Sequence, residues 1–212
     1  MGVVAGRATM AKESVNKLVE RAREVIRREA VAVSLLNEQV DESAVKVARL
    51  MLGCTGHVLV TGAGTSRAIA QRFAHLLSCC GTSALPLNAA DCLHGGAGAI
   101  TDRDVLYVIS KGGHSREINS LVEIARQKGA RIIAHTENPD SPLGKMSDTI
   151  YKIKAPEDVD PYGMIATGSS LVNGAACDVL CVLLLELRGY SKEQFSVTHP
   201  EGAVGKKIAE GK

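Results

Sequence analysis

Two different spacings of apolar residues divide the chain. From residue 12 to residue 52, Val15, Leu18, Val19, Ala22, Val25, Ile26 and Val33 recur at intervals of three and four, the stripe of an amphipathic helix. Forty unbroken helical residues would make a rod of about 60 Å at 1.5 Å per residue, so a break is predicted. Asp41 suits the N-cap of a second helix, Glu42 to Leu52, and Gly53 suits its end. After Gly56 the apolar residues come instead in short continuous runs, at residues 57–61, 84–87, 104–110, 130–136 and 149–153. Continuous rather than alternating runs indicate strands buried on both faces. Helical stretches at about 66–80 and 115–128 separate them, and a long apolar helix over 168–188 follows, closed by Gly189. This alternation predicts an α/β fold with a parallel, doubly wound sheet and a helical arm in front of it.

No linker, repeat or low-complexity stretch interrupts the pattern. Residues 1–10 read as a leader without structure, and 11–212 as a single domain: helical arm 11–53, αβα core 54–190, tail 191–212. A chain of 212 residues can bury about 70% of its unfolded surface. Composition then removes whole classes of function. The net charge is +2 with both signs interspersed, and aromatic residues make up only 3%, so the basic stripe and stacking platform of a nucleic-acid binder are missing. The longest continuous apolar run, Val179 to Leu185, is too short to span a bilayer, and the first ten residues lack a signal-peptide core. No membrane partner is expected, and the location expected is cytoplasmic. The six cysteines form no CxxC pair and lie in apolar runs, as small hydrophobes kept reduced would; a thiolate metal site or catalytic thiol is the alternative.

Two predicted strands end in glycine- and hydroxyl-rich loops that run into helices. The first is Thr61-Gly62-Ala63-Gly64-Thr65-Ser66 and the second is Ser110-Lys111-Gly112-Gly113-His114-Ser115. Glycine allows the tight turn, a helix N-terminus offers unpaired N–H groups to an anion, and the hydroxyls add donors. Ligands of open parallel sheets bind beyond the carboxyl ends of strands, so the pair predicts a phosphate cradle. Arg67 stands where the third glycine of a dinucleotide-binding GxGxxG would be, and no GK[ST] follows either loop.

In this order and spacing, the segments resemble the sugar isomerase (SIS) domain family, in particular its arabinose 5-phosphate isomerase branch. The resemblance runs from about His57 to Lys207. It includes the TGAGTS loop, Leu93-His94-Gly95, Asn138-Pro139-Asp140-Ser141, the stretch from Pro161 to Ser170, and the tail Glu193-Gln194-Phe195-Ser196-Val197-Thr198-His199-Pro200. It implies a three-layer αβα sandwich around a five-stranded parallel sheet, and a homodimer or homotetramer whose sites are shared between subunits. It also implies proton transfer between C1 and C2 of a sugar phosphate through a cis-enediol. The branch carries paired regulatory domains beyond this segment, and their regulation is expected to be absent here. Of the branch's candidate catalytic groups only His199 matches. Thr65 stands in place of a lysine, His114 in place of a glutamate, Gly112 in place of a serine, and Asp158 roughly in place of a second glutamate.

The expected catalytic set is therefore His199, His114 and Asp158. The expected substrate- and phosphate-binding set is Thr65, Ser66, Ser110, Lys111, Gly112, Gly113, Ser115, Thr167 and Ser169. No cofactor is required by such chemistry, although His94 and His199, with Asp91 nearby, could hold a divalent metal such as zinc. The alternative is a SIS protein that senses a sugar phosphate without transforming it.

Overall fold

The structure is a computed structural model and describes residues 15–157, 160, 162–201 and 205. The predicted leader, Asp158 and the last residues of the tail lie outside the described residues. Helix α1 is Val15–Ser34; a 3-10 turn, Leu35–Glu38, supplies the predicted break before α2, Glu42–Leu52. Asp41 caps α2 as expected, its Oδ1 accepting the Ser43 N–H at 2.8 Å.

The strands and helices then alternate: β1 Val58–Gly62, α3 Thr65–Cys79, β2 Ala84–Pro86, α4 Ala89–Leu93, β3 Val105–Ile109, α5 Arg116–Gln127, β4 Arg131–Thr136, α6 Pro142–Met146, β5 Thr149–Lys152, α7 Gly168–Arg188 and α8 Lys192–Thr198. The five strands are parallel in the order β2-β1-β3-β4-β5. Alternate side chains of each strand enter two apolar layers. Val58, Val60, Val105, Tyr107 and Ile133 meet α2, α3 and α7 on one face; Leu59, Leu106, Val108 and Ile132 meet α4 and α5 on the other. Both faces are thus covered, which is why the strands read as continuous apolar runs.

Four elements depart from the sequence-based expectation. The short helices α4 and α6 were not predicted, because five residues hold little more than one helical turn and show no period. Strand β2 has only three residues. Helix α7 is apolar enough over its length to cross a membrane (mean hydropathy 1.8), although its longest continuous apolar run did not suggest it. Its apolarity has a local use. Val172, Ala176, Cys177, Leu180 and Leu184 are buried at the centre of the larger apolar layer, packed with α2 and α3.

Candidate functional site

The site begins with strand order. β1 and β3 pair in register, Gly62 opposite Ile109, so their carboxyl ends deliver the two predicted loops side by side. The order reverses there: β2 lies on one side of β1 and β3 on the other. Helix α3 packs on one face of the sheet and α5 on the opposite face. A crevice must open between them. It holds a cleft of about 270 Å³, lined by Ala63 and Ser66 from the first loop and by residues 109–115 from the second.

Packing behind the cleft explains its glycines. A Cβ at Gly62 would lie 2.8 Å from the Ser66 carbonyl, so only glycine lets β1 close onto the start of α3. Gly113 has φ +68°, and a Cβ there would collide with the Ser141 side chain. The loop's carbonyls are tied down from behind. Lys111 O accepts from Glu137 N–H at 3.0 Å and from Thr136 Oγ1 at 2.9 Å. Gly113 O accepts from Asn119 Nδ2 at 3.2 Å and from Leu143 N–H at 3.3 Å. No acceptor among the described residues meets the N–H groups of Gly112, Gly113, His114 or Ser115. With its carbonyls tied from behind, the loop keeps donors to spare for an anion.

Helix capping sharpens the point. Asp41, Asn88, Ser141 and Ser191 each cap their helices through the side chain. Gly64 and Ser115, at the heads of α3 and α5, make no such bond. Both of these helices start at the cleft, whereas α7, whose N-cap Thr167 likewise makes no side-chain cap bond, starts outside it. Lys111 adds a half-exposed ammonium 3.9 Å from Glu137 Oε1.

The structure gathers Ser66, Ser110, Lys111, Gly112, Gly113, His114 and Ser115 around one cleft. Thr65 is not among them. It lines a separate hollow of about 510 Å³ between α3 and α7, with Ser170 and the Arg72–Asp178 ion pair. Successive helical residues point about 100° apart, and at the head of α3 it is Ser66 that turns to the cleft and Thr65 that turns to the hollow. Thr167 and Ser169 stand at the head of α7, outside the cleft lining; Ser169 is buried and its carbonyl accepts from Asn173.

His199 follows α8, its ring stacked on Phe195 with centroids 3.8 Å apart and planes within 8°. Its Nδ1 lies 3.1 Å from the Phe195 carbonyl, which can only accept, so Nδ1 carries the hydrogen and Nε2 keeps a lone pair. His199 does not line the cleft of its own chain. His94 ends α4 and is exposed, and Asp91 accepts from Asn88 Nδ2 at 2.7 Å. Among the described residues no three His, Cys, Asp or Glu side chains of this chain gather in one group. Two residues beyond Asp158, Asp160 accepts from the N–H groups of Tyr162, Met164 and Ile165 at 2.8 to 2.9 Å. Slight burial acts against its charge, but these donors hold its carboxyl below the usual carboxylate range. Sequence reasoning missed Glu137 and Asn119, which anchor the cradle; their only signal was that they flank its second loop and the strand after it.

Residues 51–183 match the SIS domain family. Arabinose 5-phosphate isomerase KdsD of Salmonella typhi is 30% identical over 189 residues, 89% of this chain and 58% of that protein. KdsD of Pseudomonas aeruginosa is 32% identical, over 90% of this chain and 58% of its own. The chain thus spans somewhat over half the length of these curated relatives. Among solved structures, a candidate sugar-phosphate isomerase from Listeria monocytogenes superposes with TM-score 0.86 at 34% identity, covering 89% of this chain and all of its own. An E. coli CFT073 protein in complex with A5P has the same fold, with TM-score 0.85 at 23% identity over 89% of this chain and all of its own.

Proposed function

The chain belongs to the SIS domain family, and from that premise we propose that it is a cytoplasmic phosphosugar aldose–ketose isomerase of the arabinose 5-phosphate/ribulose 5-phosphate type. The observation that carries this reading is the cleft at the β1/β3 reversal, where two uncapped helix heads and the free N–H groups of residues 112–115 converge. The sugar's phosphate lies there, held by Ser66, Ser110 and Ser115 and by the Gly112 and Gly113 N–H groups. The named relatives act on, and a same-fold neighbour binds, a sugar phosphate of this kind.

Isomerisation then needs only proton traffic, so no cofactor is assigned. A base removes the C2 proton of the open-chain aldose while O1 gains one, giving the cis-enediol. Protonation at C1 with loss of the O2 proton gives the ketose, with no net change in atoms. The His199 Nε2 lone pair suits the carbon base, and His114 at the cleft rim suits the carrier between the two oxygens. Asp158, in the expected catalytic set, orients these groups or relays the proton. Because His199 is absent from its own chain's cleft, a neighbouring subunit of a homodimer or homotetramer supplies it. The apolar side of α1 is the surface for that assembly, with Val15, Leu18, Val19 and Ile26 all exposed.

The test is NMR of arabinose 5-phosphate incubated with the protein in deuterated buffer. Ketose formation with solvent deuterium entering at C1 or C2 is expected, and His199→Asn should lower kcat by about 100-fold or more while binding persists. Binding of the sugar phosphate without any exchange would replace the isomerase with a sensor.

A further inference from the structure

Two arginines outside the cleft lining stand where a helix would ordinarily reject them. Arg67 is the third residue of α3 and Arg116 the first of α5. Each follows a hydroxyl residue of the cleft, Ser66 and Ser115 respectively. The helix dipole concentrates positive charge at these ends, so a cation in the first turn is unfavourable there. In α3 no acidic residue in that turn offsets it, and in α5 Glu117 is the one acid.

Both arginines are exposed, and neither pairs with a carboxylate among the described residues. Arg23, Arg27, Arg72 and Arg131 all do. Cα–Cβ bonds of a helix lean toward its N-terminus, so long side chains from the first turn extend over the helix head, where the cleft opens. No carboxylate lines the cleft itself, and its one lysine stands near Glu137. Two unpaired charges therefore flank a cradle whose other groups are hydroxyls, N–H groups, a histidine and the Lys111 ammonium, which stands near Glu137.

We propose that Arg67 and Arg116 are specificity-determining residues that select a phosphate dianion over a singly charged or neutral sugar. The proposal rests on the sugar-phosphate reading of the cleft and adds what that reading lacks. Hydroxyls and N–H groups bind oxygens of any charge, whereas a phosphate monoester carries close to two negative charges at neutral pH. Two guanidinium groups match that charge, and their field also draws the anion in from solution.

The experiment compares arabinose 5-phosphate with arabinose 5-sulfate, an analogue of similar shape but one charge, by calorimetry at low and at 0.5 M salt. At low salt Arg67→Gln and Arg116→Gln should each weaken phosphate binding about threefold and together about tenfold, the sulfate losing only about threefold in the double variant. The phosphate-to-sulfate preference should shrink accordingly, recover in Arg67→Lys/Arg116→Lys, and narrow between wild type and variant at high salt. A double variant that binds arabinose 5-phosphate like wild type at low salt overturns the proposal and leaves the cleft reading standing. Equal losses for both ligands, with a lowered melting temperature, overturn it too and give the arginines a structural role. Wild type that binds neither ligand removes the cleft reading, and the proposal with it.

Discussion

His135 on β4 is buried to 1% exposure in a protein whose other described histidines reach the surface. Its neighbours dictate its tautomer. Asn173 gives its N–H to the Ser169 carbonyl at 2.7 Å, so its Oδ1 accepts from His135 Nε2–H, also at 2.7 Å. Nδ1 is then left to accept from the Tyr107 hydroxyl at 2.8 Å. Burial pushes the imidazole down to about 4, although the Asn173 bond opposes the shift. The folded value lies below the unfolded value of 6.5, so the unfolded chain binds more protons between them. Stability should therefore be intact above about pH 6.5 and fall as pH drops toward 4, by about 3 kcal/mol from this group. Urea unfolding across pH 4.5 to 7.5 measures that slope. His135→Leu should flatten it while costing about 1–3 kcal/mol at pH 7, because the Tyr107 hydroxyl and Asn173 oxygen lose their partner. An unchanged slope in that variant would assign the acid sensitivity to other groups, though not to Asp104, whose contribution is lost only as pH falls below its unfolded value of 3.8. Burial acts against the Asp104 charge, but the His57 and Thr101 N–H groups outweigh it and hold the carboxyl low.

Among the helices, the two kinds of N-terminus separate stability from binding. Asp41 makes its cap bond in the free protein, so Asp41→Ala should cost about 1 kcal/mol of unfolding free energy with little effect on ligand affinity. Ser115 makes no cap bond. Ser115→Ala should leave the melting temperature nearly unchanged but weaken arabinose 5-phosphate binding by about 1 kcal/mol or more, as a hydrogen bond to a charged group is lost. Thermal melts and calorimetry on both variants would show the crossed pattern. A Ser115→Ala protein that is destabilised yet binds normally would mean that the hydroxyl serves the fold.

On the scale of the whole molecule, the apolar side of α1 stands uncovered. Leu18 is 49% exposed and Ile26 65%, while Ala32 at the other end of the helix is buried against the core. In an isolated chain, substituting such exposed residues changes stability by no more than about 0.5 kcal/mol. On the proposed assembly, in which a neighbour supplies His199, Leu18→Gln combined with Ile26→Gln should leave the chain folded but reduce its sedimenting mass and its isomerase turnover. Identical sedimentation of wild type and double variant would place the subunit contact elsewhere.

How much was legible in the sequence follows from how far each feature reaches along the chain. The strands buried on both faces, the break in the arm, the Asp41 cap and the two hydroxyl loops were readable, because burial period, capping and turn chemistry act within about one turn or one strand. Helices α4 and α6 were too short to show a period. Other features depended on packing between distant segments. Only the rotation of α3 against β1 decided that Ser66 and not Thr65 enters the cleft. Only the pairing of β3 with β4 brought Glu137 beside Lys111, and only the packing of α7 across the sheet set Asn173 against His135. His199 does not line the cleft of its own chain. The sequence by itself thus determined the fold and the cradle's donors, whose causes are local; tertiary structure decided which donors share one space, because that depends on how elements far apart in the chain are turned against one another.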